Sequence, residues 1–406
     1  MNFPFFLAKR IIGAGKRTFS KLIVRVGVGA IAIGIAAMIL AVAVLNGFKG
    51  EVTGKQRGFF GDIDITKYDL NQSFENTPFY LRGDKIAELE SVPGVAGLQR
   101  YATKAGIINV NGEVEGVVLK GIDESYDQSF LSSVLVAGNT IDFADTARTL
   151  TQAIISNYTA SRLRLQVGDD FIMYFAQEPI RRRKLEIVGI YSTSAEELDK
   201  VYVVGTLPLI QRLNGWDTLE VGGYEATVTD FTRIGEITEQ INDILPLEVD
   251  AVSLSDRFPE LFQWLDMLDA NPQIILILMM VVSIINMISA LLIIILERTN
   301  MIGVLKALGY TNGGLQRVFL YNAVYLVGLG LLIGNALGLG LYFFQATTQY
   351  IKLDEASYYV SYVPVSISFL EVLALNAGVL VVSLLVLLIP SYLISRVSPV
   401  KAIQFR

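Results

Sequence analysis

Residues 26–48 read VGVGAIAIGIAAMILAVAVLNGF, a run without a single Asp, Glu, Lys or Arg. Three further runs of comparable length lack these residues too, at 274–296, 318–351 and 372–395. A helix needs about 20 apolar residues to cross the hydrocarbon core of a bilayer, and it satisfies its own backbone hydrogen bonds there. The sequence, which is 52% hydrophobic over 406 residues, therefore predicts four transmembrane helices.

Two other interpretations are open: any of the four runs could be a buried helix of a large soluble protein, and the first could be the core of a cleavable signal peptide. Ala41-Val42-Ala43 could serve as a cleavage site behind the basic residues that precede the run. The uncharged run is longer than the roughly 7–15 residues of a signal-peptide core, which favours a helix that stays in the membrane.

The positions of Lys and Arg predict the orientation, because cytoplasmic segments close to transmembrane helices are enriched in these residues. Basic residues dominate before the first run, between the second and third, and after the fourth: Lys9, Arg10, Lys16, Arg17, Lys21, Arg25, Arg298, Lys306, Arg317, Arg396, Lys401 and Arg406. Residues 46–273 instead carry 20 basic and 35 acidic residues. We therefore expect both termini and residues 297–317 to be cytoplasmic and the long acidic segment to be external.

These runs divide the chain into segments. Residues 1–25 form a basic leader, either an amphipathic helix on the membrane surface or a flexible tail. Transmembrane helices are expected at 26–48, 274–296, 318–345 and 372–395. The other segments are an external domain at 49–273, a cytoplasmic coupling segment at 297–317, an external loop at 346–371 and a cytoplasmic tail at 396–406.

The segment 49–273 is long enough to bury a core of its own. Alternating or β-branched runs such as 114–120 and 185–191 predict strands, and 232–245 predicts a helix after the strand-like run 224–228. This mixture favours α+β over a β-sandwich. The predicted fold class is an α-helical membrane protein with four transmembrane helices and a large α+β extracytoplasmic domain between the first and second.

Catalytic chemistry has little support in the sequence. The chain contains neither cysteine nor histidine, which excludes disulfides, Cys/His zinc sites and Cys- or His-based catalysis. Gly13-Ala14-Gly15-Lys16 suggests a phosphate-binding loop, but Arg10 and Arg17 stand where that motif needs Gly and Ser or Thr. We expect no catalytic residue, metal site, bound cofactor or nucleic-acid partner, and we predict that the chain is not an enzyme.

The segment Glu297–Gly309 continues the second run as a short helix that Gly309 is expected to end. Ile302, Leu305 and Leu308 are expected to lie near one face of this helix. An amphipathic helix of this kind either docks in a groove of a partner or rests on the lipid surface.

Three glycines in the third run, Gly330, Gly334 and Gly338, repeat at every fourth position. Small residues at this spacing allow helices to approach closely in lipid. We expect a helix–helix contact at this face, within the subunit or across a dimer.

Two stretches carry a resemblance to a known family. Leu45–Val52, with Asn46, Gly47 and Phe48, resembles the junction between the first transmembrane helix and the external domain in the LolC/LolE permeases of lipoprotein-releasing ABC transporters. Met287–Gly309 is similar to the coupling segment shared by that family, the MacB efflux permeases and FtsX. The order of one span, a large domain and three more spans is similar as well.

The resemblance implies a permease that pairs with an identical copy or a paralogue and sits on two separate ABC ATPase subunits, which would bind ATP and Mg²⁺. It implies a bacterial inner-membrane protein whose large domain is a MacB-like periplasmic core. The implied function is extraction of lipoproteins by mechanotransmission for delivery to a periplasmic carrier. The residues that match the coupling segment are Glu297, Arg298, Ile302, Gly303, Leu305, Lys306, Leu308 and Gly309.

In that family a protruding hairpin of the external domain recruits the carrier, and the matching turn here, Gln177–Arg183, is short. Its candidate carrier contacts are Pro179, Arg181, Arg182 and Arg183, and an ordinary solvated strand edge is the alternative. Two other functions share the resemblance: a MacB-like permease for efflux of peptides or antibiotics, and an FtsX-like regulator of a cell-wall hydrolase.

Overall fold

The computed structural model describes residues 4, 6–7, 18–69, 74–110, 112–145, 148–354 and 358–392. The predicted cytoplasmic tail and most of the basic leader lie outside these residues. The chain divides into two compact units. The helical unit comprises Met1–Gly50, Trp264–Lys352 and Tyr362–Arg406, and the α+β unit comprises Glu51–Gln263 and Leu353–Ser361.

The strands lie between Ile63 and Ser253, together with short helices, and long helices lie before and after them in the described chain. The helices are α1 (Thr18–Phe60), α2 (Gly83–Glu90), α3 (Ser129–Ser133), α4 (Asn157–Leu163), α5 (Glu196–Val201), α6 (Leu207–Asn214), α7 (Ile234–Ile244), α8 (Leu254–Arg257), α9 (Pro259–Met267), α10 (Ala270–Glu297), α11 (Thr299–Ala307), α12 (Asn312–Thr348) and α13 (Phe369–Tyr392). The strands are β1 (Ile63–Lys67), β2 (Val95–Val110), β3 (Glu113–Ile122), β4 (Leu135–Gly138), β5 (Gln152–Ser156), β6 (Asp170–Phe175), β7 (Arg181–Tyr191), β8 (Tyr202–Thr206), β9 (Gly223–Val228) and β10 (Val249–Ser253).

Four helical stretches in the described residues are long and apolar enough to cross a membrane, and each coincides with one of the uncharged runs. They are Arg25–Phe60, Pro259–Glu297, Asn312–Thr348 and Phe369–Ile389. Buried side chains from α1, α10, α11, α12 and α13, among them Ile35, Leu291, Ile302, Phe319 and Val379, form the core of the helical unit.

The first helix does not end at the predicted domain boundary after Phe48. It continues to Phe60, because Val52, Gln56 and Phe59 form a buried stripe at helical spacing and no proline interrupts the segment. Gly61 ends the helix in the left-handed conformation, with φ of 72°, and its N–H donates to the carbonyl of Arg57 at 2.8 Å.

The α+β unit is built on a mixed sheet in the order β10-β1-β9-β2-β3-β8-β5-β7-β4, with β6 between β2 and β7. The long strand β2 pairs with β9 near its start and with β6 near its end. Because β6 also pairs with β7, the hydrogen-bonded path through β2, β3, β8, β5, β7 and β6 returns on itself. A single hydrophobic core that includes Leu119, Ile154 and Leu185 lies in this unit, which bears out the predicted α+β class.

The expected external loop between the third and fourth candidate spans contributes to the α+β unit through Leu353–Ser361. Within that unit, Lys55 Nζ donates to the carbonyl of Tyr359 at 3.1 Å, and the Tyr359 hydroxyl donates to Glu197 at 3.4 Å. The α+β unit is therefore assembled from two separate parts of the chain.

Candidate coupling and junction sites

The helix α11 has a well-defined end. Gly309 follows it with φ of 87°, and the Gly309 N–H donates to the carbonyl of Lys306 at 3.0 Å. The Tyr310 N–H donates to the carbonyl of Leu305, also at 3.0 Å. These two bonds form a Schellman motif, and Leu305 and Tyr310 both pack against the core of the helical unit. The predicted stop at Gly309 is confirmed.

The side chains of α11 fall on two faces. Ile302 is 0% exposed, and Leu305 packs beside it on the core. Leu308 is 78% exposed and Val304 is 45% exposed. The expectation that Leu308 shares a face with Ile302 and Leu305 is therefore wrong, because six residues at about 100° each turn Leu308 about 120° away from Ile302.

The other predicted coupling residues divide in the same way. Glu297 and Gly309 are exposed, Arg298 and Lys306 are partly buried, and Gly303 is buried with Ile302. Burial lowers the pKa of Lys306. Sequence reasoning missed three exposed residues of this helix, although their spacing from Leu308 shows in the sequence. We define the exposed face of α11 as Asn300, Val304 and Ala307 together with Leu308, the C-cap residue that follows the helix.

The junction motif near the end of the first uncharged run contains Asn46, Gly47 and Phe48. Asn46 and Gly47 contact residues at the start of α13 and just before it. Asn46 Nδ2 donates to Glu371 Oε1 at 2.6 Å. Glu371 Oε2 accepts from the Ser368 N–H at 2.7 Å, so one carboxylate caps α13 and binds α1. A Cβ at Gly47 would lie 2.6 Å from Val365 Cα, so only glycine fits there.

The next two residues contact the segment before the second candidate span. The rings of Phe48 and Trp264 meet edge to face, with centroids 5.7 Å apart. Lys49 Nζ lies 2.9 Å from Asp269 Oδ2 and 3.4 Å from Asp266 Oδ1. The four residues Asn46–Lys49 thus attach α1 to two separate stretches of the helical unit.

The glycine face of α12, formed by Gly330, Gly334 and Gly338, lies against α1. A Cβ at Gly330 would lie 2.8 Å from Ile31 Cβ, and one at Gly334 would lie 2.6 Å from the carbonyl oxygen of Ala32. The structure therefore places this face in a contact within the chain.

The turn between β6 and β7 spans residues 176–180, without a protruding extension. Arg181 Nη1 donates to the carbonyl of Leu213 at 2.7 Å and to that of Arg212 at 3.2 Å, at the end of α6. Arg183 Nη1 donates to the carbonyl of Arg182 at 2.9 Å. Pro179 and Arg182 are exposed, whereas Arg181 is engaged within the α+β unit.

Comparison with known proteins places this architecture in a family. The model of the MacB-like periplasmic core domain matches residues 28–244, more than half of the chain. The chain belongs to the MacB-like periplasmic core domain family. In this family member, residues 273–399 also match the model of the FtsX-like permease C-terminal region.

Several relatives similar over nearly the full length of this chain carry names of lipoprotein-releasing system transmembrane proteins. The lipoprotein-releasing system transmembrane protein LolC of Neisseria meningitidis serogroup B is 22% identical over 98% of both chains. LolE of Haemophilus influenzae, named in the same way, is 21% identical over 100% of both chains. The solved periplasmic region of MacB from Actinobacillus actinomycetemcomitans covers 51% of this chain and 95% of its own, at 12% identity and a TM-score of 0.35. The resemblance to the LolC/LolE permeases is confirmed.

Proposed function

We propose that this chain is the permease subunit of an ATP-driven transporter that extracts lipoproteins from the bacterial inner membrane. The full-length similarity to proteins named as components of lipoprotein-releasing systems supports this proposal. Extraction of acyl chains from lipid costs about 0.8 kcal/mol of free energy per buried CH₂. Transport of such a substrate therefore needs an external energy source. ATP and Mg²⁺ would be bound by two separate ABC ATPase subunits.

The exposed face of α11 is the proposed docking surface for an ATPase. Leu308 and Val304 present apolar side chains on the outer side of the helix, while Ile302 and Leu305 hold its inner side on the core of the helical unit. A helix fixed in this way moves with its unit, so a push on the exposed face reaches the candidate spans. This arrangement supports mechanotransmission, and it is the single observation on this structure that carries the proposal.

The orientation and the partners follow from the same proposal. The basic residues near Arg298 and Arg317 favour a cytoplasmic position for α11, with both termini cytoplasmic and the α+β unit in the periplasm. The second permease is an identical copy or a paralogue. Delivery to a periplasmic carrier would use Pro179 and Arg182, because Arg181 is already bonded to α6.

Depletion of the chain in its native cell, followed by separation of inner and outer membranes, tests the function. We expect lipoproteins destined for the outer membrane to accumulate in the inner membrane. Normal lipoprotein sorting would contradict the proposal. Normal sorting with altered drug or peptide export would favour a MacB-like efflux permease, and normal sorting with a defect in cell-wall hydrolysis would favour an FtsX-like regulator.

A further inference from the structure

A buried ion pair lies where α1 enters the sheet of the α+β unit. The side chains of Lys120 on β3 and Glu225 on β9 are 3% and 2% exposed, and Lys120 Nζ lies 2.7 Å from Glu225 Oε1. The Tyr126 hydroxyl donates to Glu225 Oε2 at 2.7 Å. Four aromatic rings surround the ammonium group with centroids 5.0 to 5.8 Å away, those of Phe59, Phe60, Tyr101 and Tyr126.

The same ammonium group binds the end of the helix. Lys120 Nζ donates to the main-chain carbonyl of Phe59, in the last turn of α1. The last carbonyls of a helix have no partner within the helix and carry partial negative charge, so a cation there satisfies one of them. Lys120 therefore connects the end of α1 to β3 and, through Glu225, to β9.

A second attachment lies on the other side of the helix end. Arg57 Nε lies 2.5 Å from Asp62 Oδ1, and Asp62 Oδ2 accepts from the Val228 N–H at 2.7 Å. Arg57 Nη2 also donates to the carbonyl of Val228 at 3.2 Å. The last turn of α1 is thus bonded to β9 through two separate charged groups.

Stability alone does not account for the buried pair. Replacement of a buried ion pair by apolar side chains of similar volume is often neutral or stabilising, because desolvation offsets the attraction. Burial lowers the pKa of Lys120, and the Glu225 carboxylate opposes this shift. The pair supplies a directional hydrogen bond from Lys120 to the carbonyl of Phe59 in α1. An apolar cluster could not supply this bond.

We propose that Lys120 and Glu225 are positioning residues that fix the last turn of α1 to the sheet, so that a movement of α1 is passed to β3 and β9. This inference rests on the proposed function for its use in transport. We call this attachment of the last turn of α1 to the sheet the joint. The joint lies within the α+β unit and can be measured without any substrate.

The test uses the full-length chain with its permease and ATPase partners in nanodiscs. The variants are Lys120→Met and the double variant Lys120→Met/Glu225→Gln, which leaves no unpaired buried charge if the single variant fails to fold. The matched control is Lys104→Met, since the Lys104 side chain is also 3% exposed and pairs with Glu75, which is not a residue of α1. Hydrogen exchange is followed at the amides of Phe60, Gly61 and Asp62, and release of a triacylated lipoprotein to a carrier is followed in parallel.

We expect exchange at these amides to be about tenfold faster in both Lys120 variants and unchanged in the control, with lipoprotein release lost while the ATPase stays bound. Unchanged exchange in both variants would show that Lys120 and Glu225 do not hold the last turn of α1 on the sheet. Faster exchange with normal release would overturn the positioning role. If the wild-type complex releases no lipoprotein, the proposed function fails, and the exchange measurement still decides whether the joint exists.

Discussion

The glycine face of α12 and the exposed face of α11 differ in one respect: α1 covers the first, whereas the described residues of this chain leave the second exposed. Gly330 and Gly334 receive Ile31 and Ala32 of α1 with no room for a side chain. On α11, Leu308 remains 78% exposed. Both patterns are visible in the sequence. A periodic pattern therefore shows which residues share a helix face without telling whether the same chain covers that face.

The largest effect should come from filling the covered face. Gly334→Leu would overlap Ile35 and the backbone of Ala32, so we expect a loss of about 3 kcal/mol in the free energy of unfolding. The control is Gly340→Leu, where a Cβ would meet nothing within 4 Å. Thermal unfolding of the full chain in detergent compares the two. Equal stability of both variants would show that the glycine face is not closely packed.

The uncovered face should respond in binding and not in stability. Leu308→Asp places a charge on an exposed position, so we expect a change below about 0.5 kcal/mol in unfolding. Affinity for the ATPase should fall by about 2 kcal/mol, roughly 30-fold, as for a central contact residue. Titration of the purified ATPase onto the permease in nanodiscs measures this loss.

Leu305→Asp is the matched variant on the inner face of α11. Because Leu305 packs on the core of the helical unit, we expect this variant to lose stability as well as ATPase binding. If Leu308→Asp binds the ATPase with unchanged affinity, the exposed face is not the docking surface.

The junction motif, Asn46, Gly47 and Phe48, is covered by other residues of this chain, as the glycine face of α12 is. The variant Gly47→Ala tests this. The new Cβ would meet the backbone of Pro364 and Val365, so we expect a loss of about 2 kcal/mol in stability. Gly50→Ala, in open space on the same helix, should be neutral or stabilise by up to about 1 kcal/mol. Urea unfolding of both variants in mild detergent separates the outcomes, and a neutral Gly47→Ala would show that Gly47 is not in close contact with Pro364 and Val365.

The smallest effect should come from the ion pairs that Lys49 forms with Asp269 and Asp266. Lys49 and its partners are partly exposed, so Asp269→Asn should cost less than about 1 kcal/mol. Asp266→Asn should cost still less, because Asp266 is farther from Lys49 and 77% exposed. Thermal unfolding at low and high salt measures both, and a larger cost for Asp266→Asn would contradict the assigned geometry.

Much of the fold could be predicted from sequence where the signal is local. The absence of charge marks the candidate spans, and Gly309 marks the end of α11. The continuation of α1 to Phe60 was missed, because charged residues such as Lys49 and Glu51 suggested a domain start and only tertiary packing buries Val52 and Phe59. The separation of Leu308 from Ile302 was missed because the rotation of about 100° per residue was not carried over the six residues between them.

Long-range partners escape sequence reasoning altogether. Asn46 and Glu371 are 325 positions apart, and Lys120 and Glu225 are 105 positions apart. In a single sequence, nothing in the composition or spacing of these residues links them. The resemblance marked Asn46, Gly47 and Phe48 as a motif, and the structure gives the physical reason for each of the three.

We propose that this chain works as a permease for lipoproteins with a separate ATPase. The most direct measurement is affinity purification of the tagged full-length chain in detergent, with mass spectrometry of everything that copurifies, for the wild type and Leu308→Asp. We predict that the wild type recovers an ABC ATPase and triacylated lipoproteins, and that the folded variant loses the ATPase. Recovery of a cell-wall hydrolase or of efflux partners without lipoproteins, or of no ATPase with the wild type, would contradict the proposed function.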